Sequence, residues 1–398
     1  MNDVAFYIHF PFCNSKCVYC DFYSIVQLEA KPRYLNALRK EIKLYQQSSP
    51  FAGARLSTLY LGGGTPSLLT AEELKQLLHW VSNGFSFAPD IEITCEANPG
   101  TLTSHRLTDY QQAGVNRLSI GVQSFDDKEL CTLTRIHSAR EAEAAITKAR
   151  AAGFANLGVD LIFGIPLQNL ESWQFTLEKA VALSPQHISM YGLTIEQGTP
   201  LAQAKADGKV VKCDEELERE MYLLGKQVLE SASYEHYEIS NFALPGCRSR
   251  HNQKYWDGSP FLSFGPSAHS YDGNKRWWNK ADVTAYCEQL EAGALPVEGS
   301  EILSNQQSKL ELIMLGLRRR EGIDLAAWHE LAGRSFLSDM AEVIEEVGGI
   351  DENAKPFSES RTGKLMTLQD GRVCLTRDGL LLYDAISSRF AARVGDGS

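Results

Sequence analysis

The sequence predicts an α/β fold: a partial barrel of six parallel βα units, followed by a smaller, mainly helical domain of winged-helix style. Two observations carry this. Short β-rich stretches alternate with helix-period stretches through the first half of the chain. The strands are near-continuous apolar runs, as in Val159-Asp160-Leu161-Ile162-Phe163, which suits a sheet covered on both faces rather than an antiparallel sandwich.

In chain order the predicted strands are residues 5–10, 56–62, 91–96, 117–122, 157–163 and 187–193. Helices are predicted between them at 31–47, 71–83, 104–113, 139–152 and 170–183, several closed by glycine. After about residue 200 a Glu-rich helical stretch, 214–231, leads into aromatic-rich irregular sequence that ends near Trp278. The last stretch reads as helical. At its end, 365–374 around Asp370-Gly371 followed by an amphipathic 378–391 reads as a hairpin and a helix. The domain expectation is therefore a barrel over 1–232, a linking segment over 233–303 and a C-terminal domain over 304–398.

The chain has 398 residues, 43% apolar and 22% charged, the composition of an ordinary globular protein. Residues 4–12 hold His9 and Pro11 and lack a basic leader, so no export signal is expected. No apolar run suits a membrane span. A cytoplasmic, reducing setting follows, with the nine cysteines as buried thiols or metal ligands. The net charge of −11 argues against nucleic acid as a partner, because polyphosphate binding needs clustered cations.

Polar residues gather where the strands stop. His9, the Gly62-Gly63-Gly64-Thr65-Pro66 run, Glu96, Gln123, Asp160, Tyr191 and Thr194 fall at or near successive strand ends. In βα barrels those ends form one functional face, so one site is expected.

Cys13, Cys17 and Cys20 stand in the loop after the first strand. Three thiolates at this spacing can hold three irons of a four-iron cluster. The fourth iron is then free for the amino and carboxylate groups of S-adenosylmethionine (SAM). Structural zinc prefers four protein ligands and would have to recruit His9 or a remote cysteine. The glycine run favours the first reading, since glycines let backbone approach a ligand closely.

The chain resembles the oxygen-independent coproporphyrinogen III oxidase group of radical-SAM proteins, within it the HemW branch described as heme chaperones. The resemblance rests on Tyr7-Ile8-His9-Phe10-Pro11-Phe12-Cys13, the glycine run, Glu96-Ala97-Asn98-Pro99-Gly100, Gly121-Val122-Gln123-Ser124-Phe125, Asp160-Leu161-Ile162-Phe163-Gly164-Ile165-Pro166 and His251-Asn252-Gln253-Lys254-Tyr255-Trp256. It implies a TIM-like radical-SAM barrel with a HemN-type C-terminal domain. It also implies one [4Fe-4S] cluster on Cys13, Cys17 and Cys20, and a SAM site using Tyr7, Gly63, Gly64, Thr65, Glu96, Gln123, Arg135 and Asp160, with Tyr19 beside the cluster. The residue types agree: carboxylates accept from ribose hydroxyls or an ammonium, and an arginine forks onto a carboxylate.

Two functions fit the resemblance, oxidative decarboxylation of coproporphyrinogen III or carriage of heme to acceptor proteins, and a radical-SAM reaction on another substrate is a third reading. The oxidases resemble CxxxCxxCxC, whereas here Phe22 stands two beyond Cys20, and the cysteine loop lies near the start of the sequence without the oxidases' extension. Both features weigh against oxidase turnover. For a carrier, His251 is the first candidate axial ligand to heme, with Arg248, Arg250 or Lys254 for the propionates and Tyr255 and Trp256 for the apolar face. The plain alternative is a structural histidine among aromatics. Cys247 and His269 are weaker candidates, Cys95, Cys131, Cys213, Cys287 and Cys374 read as buried thiols, and Trp277-Trp278 reads as a domain-interface patch. The branch implies heme as cargo and respiratory heme proteins as acceptors, many of them in membranes. Peripheral membrane association and a homodimer stay open.

Overall fold

The computed structural model describes residues 3–47 and 50–395. Six parallel strands alternate with helices: β1 Val4–Phe10, α1 Lys31–Gln47, β2 Arg55–Gly63, α2 Ala71–Ser82, β3 Ser86–Ala97, α3 Ser104–Ala113, β4 Arg117–Gln123, α4 Asp127–Thr132, α5 Ala139–Ala151, β5 Asn156–Phe163, α6 Leu170–Ala182 and β6 His187–Gly192. Local chemistry sets the boundaries. Thr70 with Glu73 and Ser138 with Glu141 form capping boxes that start α2 and α5. Gly114, at φ 112°, stops α3 in the left-handed conformation open to glycine.

The six strands lie in sequence order, β1 to β6, as right-handed crossovers dictate. Their buried apolar residues, among them Phe6, Ile8, Leu59, Leu61, Leu118, Ile120, Val159 and Leu161, join those of the covering helices in one core.

The middle segment is more ordered than its composition suggests. After α7 Pro200–Ala206 and α8 Glu215–Ser231 come β7 Glu235–Glu238, β8 Asn241–Ala243, α9 Arg250–Trp256, β9 Phe261–Phe264, β10 His269–Tyr271, β11 Lys275–Asn279, α10 Val283–Glu291 and β12 Val297–Ile302. These strands extend the barrel sheet at both edges, giving the order β12-β11-β10-β9-β1-β2-β3-β4-β5-β6-β8-β7. β9 adds parallel to β1, and β8 adds antiparallel to β6. The expected irregular link is thus sheet. Its strands run only three to six residues, too short for a period-2 pattern to stand out. Trp277 lies in this sheet and donates to Tyr45 Oη at 2.8 Å, so it packs within the barrel core, while neighbouring Arg276 pairs with Glu311 of the C-terminal region.

The C-terminal region has its own core around Trp328, Phe336, Val373 and Phe390. It comprises α11 Asn305–Leu317, β13 Ile323–Asp324, α12 Leu325–Ala332, α13 Phe336–Asp339, α14 Ala341–Glu346, β14 Met366–Gln369, β15 Arg372–Leu375, α15 Arg377–Leu381 and α16 Tyr383–Gly395. β14 and β15 form the expected hairpin, with Asp370 and Gly371 both at positive φ, and β13 completes a three-stranded wing. The expected amphipathic helix is interrupted at Leu382, where α15 ends. Among the described residues no helix is long and apolar enough to cross a membrane.

Candidate functional site

A cavity of about 420 Å³ opens at the C-terminal ends of the parallel strands. Cys13, Cys17, Cys20, Tyr19, Gly63, Gly64, Thr65, Glu96, Gln123, Arg135 and Asp160 line it together. Of the residues expected at the SAM site, only Tyr7 is off the lining. It sits just behind, with its hydroxyl 3.1 Å from His9 Nδ1.

The cysteine loop is fixed through its backbone. Cys13 N donates to Ile25 O at 2.9 Å, and Gly64 N and Thr65 N donate to Phe10 O and Phe12 O at 2.7 and 2.8 Å. His9 Nε2 donates to Tyr23 O at 2.8 Å, tying the far side of the loop to β1, and burial pushes this imidazole down to about 4. Gly63 explains itself here. It sits at φ 101°, and a Cβ would stand 2.6 Å from the His9 ring. A side chain on Gly64 would meet the Phe12 carbonyl at 2.7 Å.

The sulfur atoms themselves have only loose partners. Thr65 Oγ1 donates to Cys13 Sγ at 3.4 Å, and Arg135 Nη1 approaches Cys17 Sγ at 3.5 Å. All three thiols are free, and burial raises Cys13 and Cys20. Among the described residues no three His, Cys, Asp or Glu side chains close on one point as a single-ion centre demands. Thiolates are the ordinary ligands of a four-iron cluster, and these three are free for it. Arg135 adds to the fit: Nη2 donates to Gly121 O at 2.7 Å, while its buried Nε has no partner. Free thiols, an arginine with a donor to spare and a glycine-lined approach suit a cluster with an amino-acid-bearing cofactor beside it.

Deeper in, Glu96 accepts from Tyr60 Oη at 2.8 Å and from Gly63 N at 3.1 Å. Burial pushes its carboxyl up to about 7, and neighbouring Asp160 adds to the rise. Asp160, also raised by burial, accepts from Ser119 Oγ at 3.2 Å. Gln123 is held at φ 69° beside an irregularity in the β4–β5 register, which turns its side chain to the cavity.

Sequence reasoning missed Tyr60, Arg117, Ser119, Ser189 and Asn252, which also line the cavity. The strand period could have found four of them. Arg117 and Ser119 share the inward parity of Gly121, and Ser189 and Tyr60 that of Tyr191 and Gly62.

His251 lies at the inner end of this space and off its lining. It is 1% exposed, with Nδ1 2.8 Å from Thr58 Oγ1 and Nε2 2.9 Å from Tyr255 Oη. Its ring stacks on Tyr60 at 4.9 Å between centroids. Burial, with Arg117 nearby, holds it neutral by lowering it to about 3. Glu92 of β3 accepts from the N–H groups of Arg250 and His251, seating α9, and Arg318 lies 3.8 Å over the Trp256 ring. Of the cations named for propionates, Arg248 pairs with Glu235 and Glu321, and Arg250 with Asp90. His269 stacks on Trp278. Cys131 is exposed on the short α4, contrary to its expected burial, because its neighbours Glu129 and Leu130 take the inward positions; Cys213 and Cys247 are half-buried, and Cys95, Cys287 and Cys374 are buried.

Comparison with known proteins places the chain in a family. The Radical SAM superfamily matches residues 7–180, and the HemN C-terminal domain matches residues 303–382. The heme chaperone HemW of Mycobacterium tuberculosis is 39% identical over 80% of this chain and 83% of its own length. The chain belongs to the HemW family. The heme chaperone HemW of Bacillus subtilis is 34% identical over 90% of this chain and 96% of its own. Among solved structures, the coproporphyrinogen III oxidase HemN of Escherichia coli, described as a radical SAM enzyme, matches with a TM-score of 0.81. That match covers 98% of this chain and 90% of HemN at 22% identity, a likeness of fold. The radical SAM superfamily brings with it a four-iron cluster and SAM as cofactors.

Proposed function

We propose that this HemW-family chain is a heme chaperone on a radical-SAM scaffold: it binds heme and delivers it to acceptor heme proteins, respiratory ones in the first instance. The observation that carries this is the 34–39% identity, over most of the chain, to proteins named heme chaperones. Phe22 supports it. The side chain two beyond Cys20 is an exposed aromatic at the cavity lip, where the oxidase pattern has a cysteine.

In this reading Cys13, Cys17 and Cys20 hold a [4Fe-4S] cluster, and Tyr7, Gly63, Gly64, Thr65, Glu96, Gln123, Arg135 and Asp160 form the SAM site with Tyr19 alongside. When bound, the cluster supplies a one-electron reductant beside the sulfonium. The chain's residues then do the positioning. Arg135 offers Nε to the methionyl carboxylate, Glu96 and Asp160 accept from hydroxyl or ammonium groups, and Gly63 and Gly64 let the turn pack on His9 and Phe12, which sets its backbone at the cavity. His251 remains the proposed heme ligand on one condition: Tyr255 must release Nε2 and α9 must shift from its seat, since both ring nitrogens are engaged.

The test loads purified protein with heme and mixes it with an apo acceptor heme protein. Transfer read from the acceptor's absorption spectrum, faster than from free heme at equal concentration, is the expected result. Absence of heme binding would overturn the proposal.

A further inference from the structure

Arg117 is a buried cation whose Nε has no hydrogen-bond partner among the described residues. It opens β4, is 1% exposed and lines the inner part of the cavity with Tyr60, Ser119, Asp160 and Ser189. The neighbouring carboxylates Glu92 and Asp160 attract its charge without bonding to it, their hydrogen bonds lying elsewhere. Glu92 takes the N–H groups of α9, and Asp160 accepts from Ser119. Thr94, the register partner of Arg117 on β3, has a buried Oγ1 that is also unpaired. Gly158 keeps the space open, since a Cβ there would lie 3.2 Å from Arg117 Nη2.

A buried guanidinium whose Nε lacks a partner, and whose charge Glu92 and Asp160 balance without bonding to it, has donors in reserve for an arriving acceptor. SAM's own carboxylate is not that acceptor. Arg135 stands for it at the outer end, bonded to Gly121 O, and Arg117 lies four residues back along β4, roughly 13 Å at strand rise.

We propose that Arg117 is the receptor of a carboxylate subsite at the inner end of the cavity. Two sources share this chemistry: a propionate arm of the porphyrin cargo, which rests on the heme reading, and a free small carboxylic acid, which does not.

The experiment titrates the full chain with propionate by calorimetry, against propionamide at equal ionic strength. The wild type should bind propionate and not the amide, and Arg117→Met should weaken binding about tenfold or more, the worth of a charge-assisted fork. Circular dichroism checks that the variant is folded. If it is not, Arg117→Lys carries the comparison and should weaken binding less, since it keeps charge and loses the fork. No propionate binding by the wild type, or equal binding by wild type and folded variant, overturns the subsite. Heme and its dimethyl ester then separate the sources. A preference for the free acid that Arg117→Met abolishes assigns the subsite to the cargo, whereas propionate binding without such a preference assigns it to a free acid. A wild type that takes propionate but no heme keeps the subsite and fails the chaperone reading.

Discussion

The two ends of the cavity are built from different materials. At the outer end the fixed atoms are main-chain ones: Cys13 N on Ile25 O, Gly64 N on Phe10 O, Thr65 N on Phe12 O. The sulfur atoms keep long contacts, as from Thr65 and Arg135. At the inner end, side chains do the fixing. Both His251 nitrogens are bonded, both Glu92 oxygens accept from α9, and Trp256 lies under Arg318. A site made to receive a ligand holds its backbone and frees its donors, whereas a seat spends its donors on itself. The exception at the inner end is Arg117, which is why it carries the further proposal.

Four changes break or sharpen this contrast. Cys17→Ser at the outer end should be all-or-none: reconstituted protein should lose the cluster's visible absorption and its iron, while the far-ultraviolet circular dichroism stays that of the wild type. Retained colour with a full iron count would contradict the assignment.

At the inner end, Arg318 Nε and Nη2 donate to Glu238 Oε2 at 3.0 and 2.7 Å, and Glu238 is fully buried. Arg318→Met should cost about 3–5 kcal/mol in urea unfolding, because it strands a buried carboxylate. A cost under about 1 kcal/mol would show that α9 and the C-terminal region are seated by other contacts.

Glu41 underlies the outer end. It accepts from Tyr286 Oη at 2.6 Å, Asn279 Nδ2 at 2.6 Å and Gly265 N at 2.9 Å, fixing the β9 end against His9. Burial pushes it up to about 7 from the usual 4.5. Between those values the folded chain keeps a proton that the unfolded chain releases, so stability falls as pH rises through this window and the loss is complete above pH 7. Each such carboxyl is worth at most about 3 kcal/mol over the window. Buried His9 and His251, held neutral, add an opposite slope below pH 6.5, so the test is the difference between variant and wild type: Glu41→Gln should gain stability relative to wild type as pH rises from 5 to 8, and a pH-independent difference would show that Glu41 titrates normally.

The smallest expected effect is at Gly63. Alanine there must hold φ near 101°, costing roughly 1–2 kcal/mol, and its Cβ must displace His9 from the loop. SAM affinity of the reconstituted protein, read by equilibrium dialysis, should fall about tenfold or more. Unaltered affinity would mean that the loop does not need this turn.

The barrel was legible because its strands and helices repeat strong periods: α1 and α3 fall where the spacing puts them, and each of the six strands is within a few residues of its expected range. The outer end was legible for the same reason, since strand-end residues converge by topology alone. The inner end was not. His251 reads as a candidate ligand beside cations, yet Tyr255 one turn on claims Nε2 and Thr58 claims Nδ1 across 193 residues, a pairing that no local pattern reveals. The short strands β7 to β12 were hidden likewise, because pairing with the barrel edges makes them strands, not their own composition.

The most direct measurement sets this protein beside the E. coli HemN oxidase, both with reconstituted clusters, in an anaerobic assay with SAM, reductant and coproporphyrinogen III. After oxidation, chromatography should recover only coproporphyrin from this protein while HemN yields protoporphyrin. Protoporphyrin formed here over many turnovers would contradict the account and make this chain an oxidase despite Phe22.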